Sequence, residues 1–295
     1  MLPDAPADVP PDIRAALIGA FPRFGQARLS IAGRGWHSLA IDIDDRFIAK
    51  FPQGAEAESA LRREAKLLSA VRPHLTQPVP DMQLVENGPL LFSLHEKLGG
   101  EILLRSQYEL LPGAARDRLA ATLAQFFAEL HAIDPGSVRA AGAEPVEWWD
   151  VREETLQPVW RQLSADMVGQ ARAALDAYRS REWSDAVYGF FDAHGWNMAF
   201  DHTGQTLSGI FDFADSGFGP ALREFVPVSL ISPDLTRRTI GQYVALTGRR
   251  IETGDIYLMT AAARLSEFAG AMETGEHVGP MRDLVIDWFA QRDVR

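Results

Sequence analysis

The chain has 295 residues, 46% of them hydrophobic and 23% charged, and it contains no cysteine. That composition excludes wholesale disorder, a disulfide framework, a thiolate nucleophile and a cysteine-based zinc site, and the length favours two lobes with separate cores. The net charge of −11 is unevenly spread: residues 1–100 hold 12 acidic and 11 basic side chains, residues 101–295 hold 28 and 18, so the second part repels nucleic acid and anionic lipid and attracts cations.

The first twelve residues carry four prolines and three aspartates, with no basic residue before Arg14. This matches neither a signal nor a transit peptide, and no apolar run approaches the ~20 residues that span a bilayer. The expectation is a soluble, cytoplasmic protein with neither nucleic acid nor membrane as partner; no pattern in the sequence sets an oligomeric state.

Arg28–Ala32, His37–Ile43 and Arg46–Phe51 read as strands, separated by Gly33-Arg34-Gly35 and by Asp44-Asp45. Ala57–Arg72 is a helix pattern closed by Pro73, and Met82–Val85 with Leu90–Leu94 makes a hairpin around Asn87-Gly88. Beyond Leu98-Gly99-Gly100 the periodicity becomes helical. Ala114–Ile133 sets Leu119, Leu123, Phe126, Leu130 and Ile133 on one stripe, stopped by Asp134-Pro135-Gly136. Further helices are predicted at Gln170–Arg179, Thr236–Leu246, Asp255–Glu273 and Pro280–Gln291, the last with Met281, Leu284, Val285 and Trp288 on one side. The expected fold is α+β and bilobal: residues 1–97 form an antiparallel sheet with one helix, and residues 98–295 a larger, mainly helical lobe.

Two groups of residues carry chemistry. On the predicted helix, Glu64 falls on the apolar arc of Leu61, Leu68 and Val71, and a carboxylate buried there needs a partner. Lys50, one of only three lysines, lies on the preceding strand and is the obvious one; the competing reading turns Glu64 outward beside Arg63. The second group is Asp192-Ala193-His194-Gly195-Trp196-Asn197, followed by strands Met198–Phe200 and Leu207–Phe211 around the turn Asp201–Gln205. Paired as a hairpin, these strands place Asn197 beside Asp212, an amide oxygen next to a carboxylate, which suits Mg²⁺ carrying phosphate ligands. An ordinary hairpin with polar ends is the alternative.

The stretch Asp192–Asn197 followed by Ile210-Phe211-Asp212-Phe213 resembles the catalytic and metal loops of the aminoglycoside phosphotransferase family, a branch of the protein-kinase-like fold. Gly217-Phe218-Gly219-Pro220, the pair Lys50 and Glu64, and Glu129-Leu130-His131 fit the same pattern, so the resemblance runs from about Leu29 to Phe225. It implies that Lys50, held by Glu64, meets the phosphates of ATP or GTP, that Asn197 and Asp212 bind Mg²⁺, and that Asp192 is the base for an acceptor hydroxyl. It also implies a hinge at Ser93–Lys97, including Glu96 and Lys97, and a phosphate-covering loop at Gly33–Ser38, which lacks a full Gly-x-Gly-x-x-Gly. The family usually has His-Gly before the catalytic aspartate, whereas this chain has Phe190-Phe191, which implies a repacked loop.

The expected activity is transfer of a γ-phosphoryl to a small-molecule hydroxyl. An acidic second lobe suits a cationic acceptor such as an aminoglycoside, with Glu147, Asp150, Glu153, Glu154, Glu267 and Glu273 as candidate lining. Trp148, Trp149 and Trp160 suit a quaternary-amine cage instead, so choline, another amino alcohol, a sugar or a macrolide stays open. A nucleotide-binding, pseudokinase-like module without catalysis is the rival reading.

Overall fold

The computed structural model describes residues 8–34, 38–86, 88 and 90–290. The chain divides into two compact units that interleave in sequence. One runs to Leu103 and takes in Ala132–Glu144 and Trp196–Ser216; the other comprises Leu104–His131, Pro145–Gly195 and the chain from Gly217 onward.

In the first unit, strands β1 (Leu29–Arg34), β2 (Ser38–Ile43), β3 (Phe47–Pro52), β4 (Gln83–Val85) and β5 (Phe92–Glu96) form an antiparallel sheet of order β1-β2-β3-β5-β4. Strand alternation sends Leu39, Ile41, Ala49, Phe51, Phe92 and Leu94 to one buried face. Helix α1 (Pro11–Ala20) covers that face with Ile13, Ala16 and Leu17. This helix precedes the first element expected from the sequence, the strand at Arg28. Pro10 is its N-cap and Pro11 its first residue, a position where a missing N–H costs nothing.

Lys50 and Ser93 pair in register and belong to the alternate set, so they project from the other face of the sheet. Helix α2 (Ala55–Val71) follows β3 and buries Leu61, Glu64, Leu68 and Val71, the stripe the spacing predicts. Asp134, expected as a helix stop, also caps the next helix, α5 (Pro135–Ala140), by accepting from the Ser137 N–H at 2.9 Å.

Strands β7 (Met198–Asp201) and β8 (Thr206–Ile210) form the expected antiparallel hairpin. Main-chain contacts tie it to the sheet-bearing unit. The Ile210 N–H donates to the Pro78 carbonyl (3.0 Å), the Gln77 side chain donates to the Leu207 carbonyl (3.1 Å), and Glu101 and Phe200 exchange two bonds (3.0 and 2.7 Å). Gly100, at φ +123°, permits that last approach, because a Cβ there would sit 2.8 Å from the Phe200 backbone.

The second unit is helical around one small sheet. Helices α3 (Arg105–Leu110) and α4 (Gly113–His131) are followed by α6 (Glu153–Trp160) and α7 (Ala165–Arg179), and then by β6 (Ala186–Gly189) paired antiparallel with β9 (Gly217–Pro220). Helices α8 (Phe225–Ile231), α9 (Pro233–Thr247), α10 (Thr253–Thr274) and α11 (Val278–Ala290) complete it. Met259, Ala262 and Phe268 of α10 pack with Leu156, Leu175, Val285 and Trp288 in one core. Among the described residues no helix is long and apolar enough to cross a membrane.

Candidate active site

The first constellation closes around Lys50. Its ammonium lies 3.0 Å from Glu64 Oε2 and 2.8 Å from Asp212 Oδ1, while Glu64 Oε1 accepts from the Phe213 N–H at 3.0 Å. Glu64 is 4% exposed at its side chain, so the outward reading fails; Arg63 instead pairs with Glu144 at 3.1 Å. Burial alone would pull the Lys50 pKa down, but the attraction and hydrogen bonds of the two carboxylates outweigh it and hold the ammonium above the ordinary lysine range. Burial pushes the Glu64 carboxyl up against the opposing pull of Lys50. Replacing Glu64 by glutamine removes a charge-assisted hydrogen bond while keeping the shape. The expected cost is about 2 kcal/mol of stability, together with weaker nucleotide binding, read from a denaturant melt and a nucleotide titration.

The second constellation sits at the neck of the β7–β8 hairpin. Pairing runs one step past Met198 and Ile210, with the Phe211 N–H donating to the Asn197 carbonyl at 3.0 Å. Asp212 then turns left-handed (φ +67°), a conformation that aspartate tolerates better than most residues, and the Phe213 N–H that follows meets Glu64. One Asp212 oxygen is held by Lys50, yet the side chain stays 44% exposed. Among the described residues no group of three or more His, Cys, Asp or Glu side chains could hold a metal. Asp212 is the exposed member of the pair and Asn197 is 6% exposed; a carboxylate and an amide oxygen are the donor types that suit a Mg²⁺ taking its other ligands from phosphate and water.

Asp192 belongs to the other unit, in the loop leaving β6. Its side chain is 26% exposed, with Oδ1 3.3 Å from His194 Nε2, and the His194 N–H donates to its carbonyl at 2.8 Å. The two aromatics before it find places: Phe190 is fully buried edge-on to Phe126 of α4, with ring centroids 5.8 Å apart, and Phe191 is 7% exposed. Phe191 is left-handed at φ +61°, a strained geometry for a bulky residue. Glu224 holds it there. This fully buried carboxylate accepts from the Phe190 N–H at 2.7 Å and the Phe191 N–H at 2.8 Å, and His131 Nε2 of α4 lies 3.4 Å away. The other His131 nitrogen is 2.7 Å from the Tyr243 hydroxyl. Sequence reasoning missed the role of Glu224; the usable signal was an acid set against the apolar run Phe225–Val228.

The hinge residues part company. Ser93 is buried opposite Lys50, whereas Glu96 is exposed opposite Phe47 at the strand end. The Lys97 ammonium is drawn into the β2–β3 turn, 2.6 Å from Asp42 Oδ2 and also bonded to Asp45. Burial would lower its pKa, but those hydrogen bonds raise it. Ser38 opens β2 opposite Pro52, and residues 35–37 of the expected phosphate loop lie outside the described residues.

Three of the six acceptor-lining candidates are ion-paired within the second unit. Asp150 pairs with Arg152, Glu153 with Arg172, and Glu267 with Arg264. The Arg223 guanidinium stacks 4.3 Å from the Trp149 ring centre, and that of Arg172 sits 5.3 Å from Trp160. Trp149 and Trp160 thus each carry one of the protein's own guanidinium groups, whereas Trp148 stays 46% exposed.

The model of a family described as APH, phosphotransferase enzyme family, matches residues 29–257. No curated protein sequence matches the chain. Among solved structures, the GDP and kanamycin complex of APH(2")-IIIa is similar over 95% of this chain and 99% of its own, at 18% identity and a TM-score of 0.81. The GDP complex of wild-type aminoglycoside 2'-phosphotransferase-IIIa is similar over 95% and 99%, at 19% identity and a TM-score of 0.79. The apoenzyme of macrolide 2'-phosphotransferase MphH from Brachybacterium faecium is similar over 95% and 100%, at 18% and 0.63. At these identities the structural matches establish the shared α+β, kinase-like fold.

Proposed function

The chain belongs to the APH phosphotransferase enzyme family, and we propose that it moves the γ-phosphoryl of ATP or GTP to a hydroxyl of a small molecule, with Asp192 as the base. The observation that carries this reading is the Lys50–Glu64–Asp212 cluster. It presents a desolvated ammonium beside a half-exposed carboxylate, the pairing a nucleotide's phosphates and their divalent ion require.

In the proposed reaction Lys50, kept charged by two carboxylates, binds phosphate oxygens. Glu64 fixes the ammonium and, through the Phe213 N–H, the direction of the chain after Asp212. Mg²⁺ held by Asn197 and Asp212 would neutralise phosphate charge. Asp192 accepts the proton of the acceptor hydroxyl as its oxygen attacks phosphorus, and the nucleoside diphosphate leaves. Most of the rate enhancement comes from positioning and charge neutralisation.

APH(2")-IIIa is solved with kanamycin and MphH is a macrolide 2'-phosphotransferase, so both acceptor types belong in the test, with amino alcohols and simple sugars. Nucleoside diphosphate release is measured with and without each acceptor. Release that rises at least about tenfold with one acceptor supports the reading. Nucleotide binding with no acceptor-dependent release across the panel would support the non-catalytic module instead.

A further inference from the structure

Three charged side chains of the first unit meet at the neck of the β7–β8 hairpin. The Lys50 ammonium donates to Glu64 Oε2 at 3.0 Å and to Asp212 Oδ1 at 2.8 Å. Two of its three hydrogens are thus committed to carboxylates. The two carboxylates differ in freedom. Glu64 is buried, and its other oxygen accepts from the Phe213 N–H at 3.0 Å, so both of its oxygens are engaged. Asp212 is half-exposed. The main chain on either side of it is fixed, since the Phe211 N–H donates to the Asn197 carbonyl at 3.0 Å and the Phe213 N–H to Glu64. Release of Asp212 from the ammonium therefore needs only a turn of its side chain.

The same ion pair sets the terms on which a divalent ion can enter. Asp212 is the charged donor proposed for Mg²⁺, and the Lys50 charge lies 2.8 Å from its Oδ1. A dication on that carboxylate must displace the ammonium or sit beside it, and like charges repel strongly in a partly desolvated site. Glu64 cannot take the place of Asp212, because it is buried with both oxygens engaged. Among the described residues no group of three or more His, Cys, Asp or Glu side chains could hold the ion without further ligands. Nucleotide phosphates change the balance. Their oxygens compete with Asp212 for the ammonium and supply the ion with ligands of the kind it prefers.

Resting on the phosphotransferase reading above, we propose that Lys50 is a latch on Asp212. It keeps the carboxylate from a divalent ion until nucleotide phosphates engage the ammonium, so the protein takes up Mg²⁺ together with nucleotide and binds the ion poorly alone. By linkage, each ligand then tightens the binding of the other by the same factor.

The test reads metal binding directly, with Mn²⁺ as a paramagnetic probe that also prefers oxygen ligands, titrated without nucleotide. Lys50→Gln removes the charge of the latch and is expected to bind Mn²⁺ at least about tenfold more tightly than the unaltered protein. The double variant Lys50→Met, Glu64→Gln is expected to show a gain of the same order. It removes one positive and one negative charge, so the net charge of the cluster is unchanged and the gain reports the freed carboxylate. It also leaves no buried carboxylate unpaired, and so decides the matter if Lys50→Gln fails to fold. Adding Asp212→Asn to either variant is expected to abolish the gain. Mn²⁺ binding by the folded variants no tighter than by the unaltered protein, or a gain that survives Asp212→Asn, overturns the latch. Nucleotide affinity is measured on the unaltered protein in the presence of Mn²⁺. Its absence takes down both the latch and the phosphotransferase reading, whereas nucleotide binding with no Mn²⁺ gain in the variants removes only the latch.

Discussion

Asp192→Ala is expected to lower kcat by about 10³-fold, the range for loss of a positioned general base, while nucleotide affinity changes by no more than about twofold. The two effects separate because the proposed phosphate contact, Lys50, is held in place by Glu64 and Asp212. Asp192→Asn keeps the side chain's volume and removes its basicity, so the loss should be of the same order. The nearby imidazole supplies a control. His194 approaches Asp192 at 3.3 Å and its N–H bonds the Asp192 carbonyl, which reads as support of the loop. His194→Gln should cost a few-fold at most. If Asp192→Ala retains turnover while His194→Gln abolishes it, the base has been misassigned.

Glu224→Ala is expected to destabilise the protein by about 2–6 kcal/mol, since it leaves two buried backbone N–H groups without their acceptor at about 1–3 kcal/mol each. A drop of several degrees in Tm follows, about 2–4 °C for each kcal/mol at this size. Activity should fall as well. The left-handed Phe191 stores about 1–3 kcal/mol of strain, and without its carboxylate anchor the peptide can relax and carry Asp192 with it. Glutamine at 224 keeps only one acceptor oxygen and turns an amide donor toward the other N–H, so Glu224→Gln should fall between. The fit is close: a Cβ on Gly189 would sit 2.5 Å from both Glu224 Oε1 and the Phe191 ring. A Glu224→Ala protein that melts and turns over like its parent would show that the loop is held by something else.

The parts of the site legible in the sequence are those in which a side chain broke a pattern. Glu64 interrupts an apolar stripe, which leaves two resolutions, an outward turn beside Arg63 or the lysine on the strand before it, and the structure shows the lysine at 3.0 Å. Asn197 and Asp212 flank two short strands, and hairpin geometry alone brings their backbones together. What stayed hidden depends on backbone groups or on contacts between distant segments. Glu224 answers main-chain N–H groups, which leave no trace in residue identity. The β7–β8 hairpin joins the sheet-bearing unit through carbonyls at Pro78 and Glu101, so a division read along the chain cannot show that the units interleave. Lys97, the last residue of the expected hinge, turns its side chain to Asp42 of β2 and Asp45 of the β2–β3 turn, a long-range pairing that spacing does not reveal. Helix α1 went unassigned, although Pro10 and Pro11 stand where a helix start accepts proline. Arg223, as one arginine among many, gave no sign that it would stack on Trp149.

Lys50, Glu64 and Asp212 are proposed to form a receptor for a metal-bound nucleotide. Titration of the protein with a slowly hydrolysed ATP or GTP analogue, with and without Mg²⁺, and again on Asp212→Asn, tests it directly. The account predicts affinity at least about tenfold tighter with Mg²⁺ in the parent protein, and loss of that difference in the variant. An affinity that is the same with and without Mg²⁺, or a Mg²⁺ effect that survives Asp212→Asn unchanged, would contradict it.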